Sequence, residues 1–127
     1  MDKFRFLHWA VYSDAKSLFS MILSMVNKLP KEYRYELGSQ VIRSSFSVVL
    51  NIAEGSGRSS DTELNRFINI SLGSLNETLA AADILRYNKL ISVKEFEKVY
   101  TEISSISDQL GGFKKKLTSR KLTNNRS

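Results

Sequence analysis

A chain of 127 residues, 42% hydrophobic and 25% charged, suits one soluble domain with a core of its own and leaves no room for a second. With no cysteine there is neither a disulfide framework nor a thiolate metal site, so packing alone must hold the fold, as suits a reducing cytoplasm. All 13 acidic residues and 13 of the 19 basic ones precede Lys114, so residues 1–113 are neutral and the whole excess of +6 belongs to the last fourteen residues.

The opening MDKFRFLHWAVYSDAK has an apolar run broken by His8 and closed by Asp14, with no small-residue cleavage site, which argues against a signal peptide. No stretch approaches the roughly 20 apolar residues of a membrane span. A first helix is predicted from about His8 to Lys28, with Val11, Ala15, Leu18, Ile22, Met25 and Leu29 as its buried seam and Pro30 as its stop. Trp9, Tyr12 and Phe19 lie off that seam and imply a second contact beyond the protomer core. The charged segment from Pro30 to Glu36 is expected to hold a helical turn.

The second helix is predicted over Leu37 to Glu54. It carries a polar stripe, Gln40, Ser44, Ser47, Asn51 and Glu54, beside apolar rows through Val41, Val48, Ile52 and through Ile42, Phe46, Val49, Ala53. Such a stripe holds helices or subunits in register more readily than it binds a ligand, and Asn51 and Glu54 are expected to share a polar network with Arg58, Arg43 or the neighbourhood of Glu77. Glu54 faces the negative end of its helix and needs a cation, Arg58 or Arg43. Gly55 and Gly57 are expected to close the helix in the left-handed conformation.

A capping box, Ser60 with Glu63, opens a third helix over Thr62 to Asn88, whose core row is Leu64, Phe67, Ser71, Leu75, Thr78, Ala82 and Leu85. Gly73 costs about 1 kcal/mol in a helix interior and so implies a close approach, by the small Ser44, Ser45 and Ser47 or by another subunit. A second capping box, Ser92 with Glu95, opens the fourth helix, with Phe96, Val99, Ile103, Ile106, Leu110, Phe113 and Leu117 as its row. Gly111 and Gly112 are expected to kink or fray it. Four helices with short connections predict an all-α, antiparallel up-down four-helix bundle over residues 1–117, followed by a basic tail, 118–127, disordered beyond about Leu122.

Catalytic chemistry finds little to work with. The single histidine, His8, supplies neither the paired Glu-x-x-His motifs of a di-iron bundle nor a base for a serine nucleophile. The Gly55-Ser56-Gly57 turn lacks a Gly-Lys-Ser/Thr pattern and reads as a helix stop. No catalytic residue, metal site or cofactor is expected, and the chain does not read as an enzyme. The cations Lys114, Lys115, Lys116, Arg120, Lys121 and Arg126 are the candidate nucleic-acid contacts. Their alternative role is a solvated helix end opposing the macrodipole. No aromatic-rich stacking platform stands beside them in the sequence.

SQVIRSSFSVVLNIAEGSGR followed by ELNRFINISLGSLNE resembles the bacterial four-helix-bundle proteins found as reading frames within 23S ribosomal RNA intervening sequences. More distantly, it is similar to the accessory variability determinant of diversity-generating retroelements. The matching positions include Ser39, Gln40, Arg43, Ser47, Asn51, Glu54, Gly55, Gly57 and Arg58, then Glu63, Phe67, Gly73, Ser74, Leu75 and Glu77, and the likeness spans about residues 4–117. It implies a ring-like homopentamer associated with structured RNA, or with a reverse transcriptase and its RNA, and no catalytic residue. The retroelement proteins resemble strongly basic barrels, whereas this body is neutral before its tail. Two functions follow as expectations: a nucleic-acid-binding accessory protein, or an oligomeric scaffold that binds only proteins.

Overall fold

Apolar residues at alternating three- and four-residue spacing line one side of each long helix, and those sides meet. The computed structural model describes residues 2–126, with side chains from residue 3 to residue 120, and contains no strand among them. Its elements are a 3-10 helix (Asp2–His8), α1 (Ala10–Asn27), α2 (Lys31–Arg34), α3 (Glu36–Ser56), α4 (Asp61–Tyr87) and α5 (Val93–Arg126). Lys121, Arg126 and the stretch beyond Leu122 expected to be disordered lie outside the residues whose side chains are described. No helix among the described residues is long and apolar enough to cross a membrane.

α1 packs on α3 and α5, and α4 packs on the same two, so the four long helices share one core. The rows of α1 and α4 are buried throughout, as are Val99, Ile103, Ile106, Leu110 and Leu117 of α5. Along the α3–α4 contact, Ser44 meets Thr78, Ser47 meets Ser74, and Ser71 donates to the Val48 carbonyl, so numbers rise on one helix as they fall on the other. The same opposition holds between α1 and α5, where Trp9 meets Phe113 and Asp14 meets Gln109.

The two capping boxes differ. At α5 both halves form: the Glu95 amide donates to Ser92 Oγ (3.0 Å) and the Ser92 amide to Glu95 Oε1 (3.1 Å). At α4 only the Glu63 amide bonds Ser60 Oγ (3.1 Å), while the Glu63 carboxylate turns to Arg66.

Three glycine expectations are corrected. α3 continues through Gly55 to Ser56, and Gly57 sits at φ −88°, so no left-handed residue closes it. Gly55 instead admits α4: a Cβ there would stand 2.9 Å from Phe67 Cβ and 3.1 Å from Leu64 Cδ1. Gly73 has nothing within 4 Å of such a Cβ, so the protomer's own serines do not approach it; the tight place between α1 and α3 is Gly38, where a Cβ would fall 2.5 Å from Val26 Cγ1. α5 runs on through Gly111 and Gly112, because Leu110 and Leu117 anchor it in the core on both sides.

The off-seam aromatics of α1 also find partners at home. Tyr12 stands edge-on to Phe6, Trp9 against Phe113, and Phe19 against Phe46. Large apolar side chains left exposed include Phe46 and Leu50 on α3 and Ile70 and Ile84 on α4.

Candidate nucleic-acid interface

The start of the chain, the α3–α4 turn and the far end of α5 meet at one end of the molecule. The N-terminal 3-10 helix bends at Phe4 (φ −122°, ψ 65°) and carries Arg5 to the end of α3. There Arg5 Nη2 donates to the Ser56 carbonyl (3.1 Å), and its guanidinium stands 5.5 Å from the Trp9 ring centre. Arg58, in the turn, pairs with Glu54 and lies 4.8 Å from the Phe67 ring. From α5, Phe113 packs on Trp9, and Arg120 Nη2 reaches Asp61 Oδ1 at 3.0 Å.

These groups enclose a cleft of about 870 Å³, with Trp9, Leu64, Phe113 and Leu117 as its apolar lining and Arg5, Arg58, Lys115, Lys116 and Arg120 as its cations. A second cleft of about 680 Å³ lies against the same Arg5 and Arg58 and adds Lys3, Phe4, Phe6 and Glu54. Among the described residues, six cations thus line the pair of clefts against two carboxylates, Glu54 and Asp61, each already engaged by an arginine. The effect is a positive, partly apolar hollow suited to an anion that also has flat or apolar parts.

Of the cations singled out from the sequence, Lys115, Lys116 and Arg120 line the larger cleft, while Lys114 is half-buried on α5 and does not. Arg5, Trp9 and Phe4 were not anticipated. Nor was an aromatic platform: Phe4, Trp9 and Phe113 stand among the cations, because the N-terminal segment folds back onto a region more than a hundred residues away. The alternation of aromatic and basic residues in KFRFLHW was the available signal.

The polar stripe of α3 divides. Its middle forms the α3–α4 seam: Ser44 to Thr78 (2.8 Å), Ser47 to Ser74 (2.9 Å), and Asn51 Nδ2 donating to Ser47 O (2.8 Å) and Oγ (3.0 Å). Its ends, Gln40 and Glu54, are exposed, as are Arg43 and Glu77. The expected network joining Asn51 to Glu54 is therefore corrected. Gly55 and Phe67 fill the helix contact at that level, and Glu54 turns outward to Arg58.

The family model of the 23S rRNA-intervening sequence proteins matches residues 8–112, most of the helical core. The chain belongs to that family. A protein of unknown function from the S23 ribosomal protein family of Bacteroides thetaiotaomicron VPI-5482, known from its crystal structure, is similar with a TM-score of 0.75 and 22% identity, over 80% of this chain and 94% of that one. At such identity the likeness concerns fold. No curated protein matches the chain. In this 23S rRNA-intervening sequence protein, Lys3, Arg5, Lys115, Lys116 and Arg120 fall outside the matched span, so most of the cleft's charge comes from segments flanking the family core.

Proposed function

We propose that the protein is a non-enzymatic, homo-oligomeric accessory protein, built as an antiparallel up-down four-helix bundle, that binds structured RNA or other nucleic acid at its basic end. The observation that carries this reading is the convergence of Arg5 and Arg58 from the body with Lys115, Lys116 and Arg120 from α5 around one cleft. Lysine and arginine neutralise phosphates and release counterions, so affinity should fall steeply with salt. A homopentamer is the assembly the family resemblance favours, and exposed Phe46, Leu50, Ile70 and Ile84 offer apolar surface for subunit contacts. Repetition of the cleft in a ring would multiply weak contacts, with a reverse transcriptase or another protein as an additional partner.

The test is titration of a labelled RNA hairpin at several salt concentrations, using the wild type and a variant with Arg5→Gln, Arg58→Gln, Lys116→Gln and Arg120→Gln together. The variant should bind more weakly and lose about one unit of logarithmic salt slope for each contact removed. Unchanged affinity and slope would move binding off this end. A wild type that binds neither RNA nor DNA at low salt, yet elutes as a stable oligomer, would favour the second reading, a protein-binding scaffold presenting its α3 and α4 apolar residues.

A further inference from the structure

We propose that the two basic clefts take a single, unstacked strand of nucleic acid, its phosphates crossing the ridge formed by Arg5 and Arg58 and one base lying on the ring of Phe4; this rests on the nucleic-acid reading above and narrows it. Arg5 and Arg58 line both clefts, so a strand passing from one to the other must cross them. Lys3 waits on one side and Lys115, Lys116 and Arg120 on the other. Arg5 is held by the Ser56 carbonyl and the Trp9 face, and among the described residues no carboxylate pairs with it. Its charge is positioned but not neutralised.

Phe4 supplies the second, independent observation. Phe6 is taken up by Tyr12, and Trp9 by Phe113 and Arg5. Phe4 remains 56% exposed at the bend of the 3-10 helix, with Lys3 Nζ 5.7 Å from its centre. An exposed ring beside Lys3, in a cleft that Arg5 also lines, adds little to the core, whereas it suits a base π-face whose flanking phosphates meet those cations.

Size and shape favour a strand over a duplex. Hollows of about 870 and 680 Å³ fall within the roughly 300–1,000 Å³ of small-ligand pockets, the scale of a nucleotide or two. A duplex keeps its bases stacked inside a broad convex cylinder. It could touch the rim cations, but it has no base to offer Phe4 and cannot enter either hollow.

Trp9 is the only tryptophan and lines the larger cleft, so its fluorescence reports occupancy without a label. Full-length protein is titrated at low salt with a uridine dodecamer and with a dodecameric RNA duplex. The single strand should quench Trp9 and bind about tenfold or more tighter than the duplex, and Phe4→Ala should weaken only the single strand, by about five- to 150-fold, with Phe4→Tyr restoring it. Equal affinity for the two nucleic acids, or Phe4→Ala binding the dodecamer like the wild type, overturns the single-strand assignment. The basic-cleft reading survives that result if Arg5→Gln and Arg58→Gln weaken both ligands. Loss of oligomeric mass in Phe4→Ala would show the ring covered by a second copy, and the stacking role falls. If neither nucleic acid binds the wild type, both readings fall.

Discussion

At the scale of single residues the glycines separate into two kinds. Gly55 and Gly38 are places where helices touch backbone to side chain, and a methyl group there would overlap Phe67 or Val26. Gly55→Ala should cost about 1–3 kcal/mol, the usual penalty of overpacking. Gly73 meets nothing within 4 Å among the described residues, so Gly73→Ala should instead gain up to about 1 kcal/mol through helix propensity. Opposite shifts of the two denaturant midpoints are the expected result; a Gly73→Ala protein of reduced oligomeric mass would place a neighbouring subunit against that face. Glu102 gives a residue-scale effect of pH. Desolvation by partial burial, and then the charge of Asp14, raise its carboxyl pKa above the usual value, while Gln109 Nε2 donates to Asp14 at 2.7 Å across the α1–α5 contact. The folded state therefore holds this proton more tightly than the unfolded chain, a stabilisation fully present below the ordinary carboxylate pKa and lost as pH rises through the folded one. Glu102→Gln should melt at a higher temperature than the wild type at neutral pH, and the difference should close below about pH 4.

At the scale of elements, α3 and α4 are joined by small polar side chains where most helix pairs use leucine. Ser44, Ser47, Asn51, Ser71, Ser74 and Thr78 bond one another or a backbone carbonyl, and no buried side-chain polar atom among the described residues lacks a partner. Asn51→Ala should cost about 0.5–1.5 kcal/mol, because its two bonds to Ser47 lie half-buried. Glu54→Ala should stay within about 0.5 kcal/mol, since the Glu54 and Arg58 side chains are 54% and 40% exposed. Equal losses in urea titrations would contradict this division. The helices themselves were legible because burial imposes a period: the rows of α1, α4 and α5 read from the sequence are the buried rows, apart from half-buried Phe96 and Phe113. The glycines were not, since propensity tells that a glycine is costly but not which neighbour needs the space. The cleft was half legible. The tail cations announce themselves by charge, but Arg5 and Trp9 join them only through the return of the chain, which no local pattern encodes.

At the scale of the whole molecule, a neutral body with a basic tail becomes a helical body with one basic end, so binding should depend on both contributors. Cutting the chain after Phe113 would remove the buried Leu117 as well as the cations, at about 1.5–3 kcal/mol, and would confuse stability with charge. A cut after Leu117 keeps that anchor and the Lys114–Lys116 cluster while removing Arg120, Lys121 and Arg126. If all six cleft cations met phosphates of a single strand, the logarithm of affinity would fall against the logarithm of salt with slope about −4. Removing Arg120 by this cut should lessen the slope by about 0.7, and by more if Lys121 and Arg126 also reach the strand. Arg5→Gln with Arg58→Gln, tail intact, should lessen it by about 1.4. Helicity of the retained chain and oligomeric mass should persist in both proteins, because among the described residues none of those changed belongs to the buried rows. A truncated protein that lost all salt-dependent binding, beside a double variant that lost none, would make the tail the binding element and the cleft a bystander.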